Sequence, residues 1–216
     1  MAGKAWTTGR KFLGNVLPLA LSLPFLVLGA AEAAERGPSR QMYIWLVLFF
    51  GAGWLATALF GTIGNGALRE AIGKRLHHAR GFDQTEKRFV GFATPAYKGL
   101  FDPHEDVGFL ILHPDRLEFF GDSQQVTVRR EHIERVRLRP NIHSWLFLGG
   151  WVSVEGTRKG APIRLLIEAR ESSAQIVNAL RRRPLRDRLQ RWLEETPTSD
   201  DRAQTLDNTE VPEDSP

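Results

Sequence analysis

Two runs without a single Asp, Glu, Lys or Arg, Phe12–Ala31 and Gln41–Leu68, dominate the first third of the chain. The short charged turn Glu32–Arg40 separates them. A helix rises about 1.5 Å per residue, so about 20 apolar residues cross the hydrocarbon core of a bilayer. The pattern predicts helices over about 12–31 and 42–64, an N-terminal transmembrane hairpin occupying residues 1–68. Pro18 and Pro24 would break a soluble helix, but membrane helices tolerate them where neighbours satisfy the freed carbonyls. Tyr43 and Trp45 fall where an interfacial aromatic belt would lie. Small residues recur at helical spacing, Gly14, Ser22 and Ala30 in one run and Gly53, Thr57 and Gly61 in the other. Such stripes serve packing within a hairpin or a homo-oligomer interface.

From Lys87 the period changes to two. Arg88–Ala93, Val107–Leu112, Arg116–Phe120, Gln125–Arg129, Arg135–Arg139, Trp151–Glu155 and Ile163–Glu168 read as short strands bounded by turns, which predicts a small antiparallel sandwich or barrel. Ser172–Arg182 reads as a helix with Ser172 as N-cap and Ile176, Val177 and Leu180 facing inward. Pro184 predicts a break, and Leu185, Leu189 and Trp192 a second short amphipathic helix.

Charge orients this scheme. Lys4, Arg10 and Lys11 precede the first run, and Arg69, Lys74, Arg75 and Arg80 follow the second. Basic flanks stay inside, so the expectation is an inner (plasma) membrane protein with its soluble domain in the cytoplasm. A second reading takes the first run as a signal peptide cleaved at Ala31-Glu32-Ala33, and leaves the domain on the same side. Residues 69–86 form a basic juxtamembrane connector, and over Ala67–Arg80, which reads as a helix, Leu68, Ile72 and Leu76 recur four apart. This reads either as a helix lying on an anionic leaflet, with Arg69, Lys74, Arg75 and Arg80 on lipid headgroups, or as a solvated helix whose charges only set topology. The last segment, 194–216, carries eight acidic residues and Arg202, about −7 by side-chain counting, which leaves the body at about +11. Its composition predicts disorder and a shield for the arginines of the body.

Candidate chemistry is sparse. The absence of cysteine excludes disulfides, zinc–thiolate sites and thiol nucleophiles. Asp102, His104 and Asp106 are the weak candidates for a metal, although Asp-Pro is also a common turn opener. His143 and Ser144 are adjacent and form no readable catalytic arrangement. Trp145, Leu146, Phe147, Leu148 and Trp151 make an apolar stretch between two strands. It reads as a core-covering loop, or as a membrane-dipping or partner-binding edge. Arg135, Arg137 and Arg139 alternate onto one strand face, and without a recognition motif they point away from nucleic acid.

The stretch GFLILHPDRLEFFGDSQQVTVRREHIERVRL resembles the GRAM and bacterial pleckstrin-homology-like (PH-like) pattern. Arg116-Leu117, Phe119-Phe120 and Ile133–Val136 occupy its turn, aromatic strand end and Ile-x-x-Val positions. The resemblance covers about residues 87–183 and implies about seven antiparallel strands plus a C-terminal helix, within a domain of 87–193. It implies a binding or assembly module and no catalysis. It departs from phosphoinositide-binding members, because Pro95–Asp106 holds Lys98 alone against Asp102, Glu105 and Asp106. The expected function is a non-enzymatic membrane-anchored adaptor without cofactor. Its partner is a protein, a second copy or the anionic leaflet surface. The competing expectation is a metal-dependent enzyme or regulator built on Asp102–Asp106.

Overall fold

In the computed structural model the described residues are Ala5, 7–76, 86–98 and 103–195. Arg80, Asp102 and almost all of the acidic segment lie outside them. Helices α1 (Thr8–Arg36) and α2 (Arg40–Phe60) pack as an antiparallel hairpin. Its helices approach closely at small residues: a Cβ at Gly53 would sit 3.4 Å from the Ser22 hydroxyl, and one at Gly29 would sit 3.2 Å from Trp45 Cβ. Two stretches, Val16–Arg36 and Arg40–Leu76, are long and apolar enough to cross a membrane. Val47 and Phe50 are among many large apolar side chains left exposed on the hairpin, a surface suited to lipid and costly in water.

The chain leaves α2 through a tight turn, Gly61–Gly64, and enters α3 (Asn65–Leu76). Gly64 has φ +87°, a left-handed conformation that glycine adopts without steric cost. The apolar stripe of α3 faces the β-domain. Leu68 and Ile72 are buried with Phe89, Val107, Phe109 and Ile111. The stripe expected on a leaflet is therefore covered by protein, because Phe89, Val107, Phe109 and Ile111 give the outer face of the sheet an apolar patch of its own to bury.

All seven expected strands form: β1 (Lys87–Ala93), β2 (Asp106–Leu112), β3 (Arg116–Gly121), β4 (Gln125–Arg129), β5 (Ile133–Arg139), β6 (Trp151–Arg158) and β7 (Ala161–Ala169). They make one antiparallel sheet in the order β4-β3-β2-β1-β7-β6-β5. Alternation sends Val90, Phe92, Leu117, Phe119, Val136, Val152, Val154 and Ile167 into the main core. Helix α4 (Gln175–Glu194) closes that core with Leu185, Leu189 and Trp192.

Three expectations for this helix are corrected. It runs unbroken through Pro184. An interior proline costs ~3 kcal/mol, whereas burying large apolar side chains such as Leu185, Leu189 and Trp192 gains about 1.5–3 kcal/mol each. Its first inward residues are Gln175 and Asn178, while Leu180 is exposed. Helix α4 is preceded by Ala174 at the N-cap, and Ser172 lies further out, its hydroxyl accepting from the Ala174 N–H.

Candidate membrane-facing site

Side chains tie the second helix of the hairpin and the turn after it to the β-domain. At the α2–α3 turn, Thr62 Oγ1 donates to the Ser172 carbonyl at 3.0 Å, and Asn65 Nδ2 donates to the carbonyls of Arg170 and Ser172, each at 2.9 Å. Asn178 Nδ2 completes the knot by donating to Thr62 Oγ1 at 3.1 Å. Higher on α2, Trp54 Nε1 donates to the Leu146 carbonyl at 2.8 Å. Trp54 lies six residues before the end of α2, about 9 Å along its axis.

Leu146 belongs to a 3-10 turn, Ile142–Leu146, between β5 and β6. Asn141 caps it: its side chain accepts from Ser144 N at 3.1 Å, while Ser144 Oγ accepts from Asn141 N at 3.0 Å. The turn ends at Phe147, with φ +59°. That conformation is uncommon outside glycine and costs on the order of 1–2 kcal/mol. It separates two sets of side chains. Leu148 and Trp151 turn inward and are buried. Trp145 and Phe147 turn outward, 85% and 88% exposed, with Ile142 and Leu146 also exposed beside them. Of the five apolar residues, two thus belong to the core and three to the surface.

A buried polar cluster holds the base of this loop. Glu168 on β7 is 2% exposed. Its carboxylate accepts from Asn141 Nδ2 at 3.0 Å, Gly150 N at 3.2 Å and Gln175 Nε2 at 3.3 Å. His104 Nε2 lies 3.0 Å from it and His143 Nδ1 3.3 Å. Burial pushes the Glu168 carboxyl up, but the hydrogen bonds and charges of His104 and His143 reverse this and hold it well below the usual carboxylate range. Glycine is required here: a Cβ on Gly149 would lie 2.2 Å from Glu168 Oε1, and Gly149 has φ +149°. The His104 ring meets Trp151 edge-on, with centroids 5.2 Å apart. The cluster joins the β1–β2 loop, the apolar loop, β7 and α4 at one point.

Beyond this cluster, toward the β5 edge, the same sheet face becomes basic. Arg135, Arg137 and Arg139 of β5 and Arg164 of β7 surround Glu155 of β6, with shortest separations of 2.9, 2.8, 2.7 and 3.3 Å. Ser153 Oγ adds a hydrogen bond at 2.8 Å. Burial raises the Glu155 carboxyl, and the hydrogen bonds from Arg139, Arg137, Ser153 and Arg135 bring it far below its ordinary value.

The remaining sequence candidates scatter. Arg69 is exposed on α3, Lys74 pairs with Glu70 at 2.7 Å, and Arg75 pairs with Asp122. Asp106 and His104 do not converge: Asp106 accepts from the backbone N–H groups of Ser123 and Gln124 at 2.9 and 3.0 Å and so fixes the β3–β4 turn, whereas His104 faces Glu168. Among the described residues no three His, Asp or Glu side chains are arranged to hold a metal ion. Sequence reasoning missed Glu168, Trp54, Thr62 and Asn65. The signals were faint: a Gly149-Gly150 pair after an apolar run, and polar Gln175 and Asn178 one helical turn apart. The chain matches no protein-family model and no curated protein.

Proposed function

We propose that this chain is a non-enzymatic, membrane-anchored adaptor whose PH-like domain is held against the cytoplasmic leaflet by its apolar loop. The seven antiparallel strands closed by one helix support the PH-like reading, and the basic flanks of the hairpin support the cytoplasmic side. The observation that carries the proposal is the Trp54–Leu146 hydrogen bond. With α2 spanning the hydrocarbon core from Arg40 to Phe60, Leu146 sits about 9 Å inside the acyl boundary. Trp145 and Phe147 then face acyl chains. Irregular backbone at such depth needs its polar groups satisfied, and the Trp54 indole supplies the donor for the Leu146 carbonyl.

The absence of native cysteine makes the test clean. Trp145→Cys in the full chain, labelled with an environment-sensitive fluorophore and reconstituted in phosphatidylcholine–phosphatidylglycerol nanodiscs, is expected to be quenched by nitroxides on the acyl chains and shielded from iodide. Lys159→Cys, on the exposed β6–β7 turn, serves as the water-facing reference. Equal iodide quenching at both positions sinks the proposal.

A further inference from the structure

We propose that Arg135, Arg137, Arg139 and Arg164, gathered around Glu155, bind the phosphate of an anionic phospholipid headgroup in the leaflet that the apolar loop enters. The proposal rests on that leaflet reading and gives it a ligand.

Four guanidinium groups share one carboxylate, which leaves a local excess of three positive charges. Glu155 is almost fully buried, while the four arginine side chains are 31–59% exposed. Each guanidinium carries five N–H donors and the carboxylate can occupy only a few of them. The four side chains meet at one carboxylate and stay partly open to solvent. Glu155, fixed in turn by Ser153, orders the four side chains before any ligand arrives, which lowers the conformational entropy lost on binding. Phosphate suits this geometry, because several planar N–H forks can meet its oxygens at once.

Position favours a lipid over a soluble anion. Strand β5 runs toward the apolar loop, and only Pro140 and Asn141 separate Arg139 from Ile142. Arg139 is therefore the arginine of β5 nearest the acyl boundary, and Arg135 lies about 13 Å back along the strand, toward the aqueous side. The chain's own acidic segment is the competing polyanion, since it follows α4, which lies against β5 through Gln190 and Val136.

The test uses the full chain in non-ionic detergent with equimolar phosphatidylglycerol and phosphatidylcholine, and native mass spectrometry to count the lipids bound. Wild type is expected to retain phosphatidylglycerol several-fold over phosphatidylcholine. Arg135→Gln with Arg137→Gln should bring that ratio close to one. Glu155→Gln keeps a side-chain oxygen to order the arginines and removes the competing negative charge, so it should raise the ratio, and a merely structural role for the cluster would not move the two variants in opposite directions. A wild-type ratio near one, or variants that both leave it unchanged, overturns the proposal. Removal of residues 196–216 should leave the ratio unchanged; a several-fold rise would make the acidic segment the resident occupant instead. The fluorophore at position 145 reports independently. A lipid-shielded probe with an unresponsive lipid ratio sinks the headgroup site alone, and an iodide-accessible probe sinks the leaflet reading beneath it.

Discussion

Glu168→Ala is the substitution that tests the polar cluster most directly. It removes a buried carboxylate that accepts from Asn141, Gly150 and Gln175 and faces both His104 and His143. Alanine offers none of these acceptors and leaves a space that the surrounding loops fill only in part. Breaking a buried ionic network from one side costs about 3–5 kcal/mol. For a domain near 100 residues, each kcal/mol lowers the melting temperature by about 4–8 °C. The expected loss is therefore at least ~12 °C. A tryptophan-fluorescence melt of the full chain in detergent reads it, because Trp151 lies against the His104 ring. Glu168→Gln keeps one carbonyl acceptor and should fall between wild type and alanine. A melting temperature for Glu168→Ala within ~2 °C of wild type would refute the argument, since no cluster doing this work could be removed so cheaply.

The same carboxylates set an acid limit. Glu168 and Glu155 both titrate lower in the fold than in the unfolded chain, so their stabilisation is complete above the unfolded value of ~4.3 and is lost as pH falls below it toward the folded values. Melting temperatures measured from neutral to about pH 3 should drop steeply for wild type and less steeply for Glu168→Gln; parallel curves would contradict this. Trp54→Phe keeps an aromatic ring but deletes the donor to Leu146, and the lost hydrogen bond costs about 0.5–1.5 kcal/mol. Its specific signature is greater iodide access at a position-145 fluorophore, and unchanged access would mean that the bond does not hold the loop.

The strands were readable because each exposes one face to a core, so Leu117 and Phe119 alternate with Arg116 and Glu118. The hairpin was readable because charge is missing from two long runs. Three features were not. The Leu68–Ile72 stripe fits a leaflet or a sheet equally well, and only the neighbouring Phe89 and Phe109 decide between them. Pro184 carries a local penalty whose compensation lies in contacts remote in sequence. Glu168 follows Arg164 and Leu166 on the outward face of β7, so it reads as one more solvated charge. Its partners come from positions 104, 141, 143, 150 and 175, and no local pattern brings those together.

The apolar loop shows why these hidden contacts matter. In water, a turn that exposes Trp145 and Phe147 and holds Phe147 in a left-handed conformation would be unfavourable on both counts. Burying two such side chains in lipid returns about 1.5–3 kcal/mol each, enough to offset the backbone strain. The Trp54 indole has the complementary difficulty. A buried N–H without an acceptor costs several kcal/mol in a hydrocarbon environment. In the proposed placement the Leu146 carbonyl has the same need at the same depth, and one bond answers both. Glu168 and its partners fix the base of the loop, and Thr62 and Asn65 tie the end of the hairpin to the segment after β7. In the proposed leaflet placement, orientation of the domain would depend on a few side chains that neither the hydropathy pattern nor the strand pattern reveals.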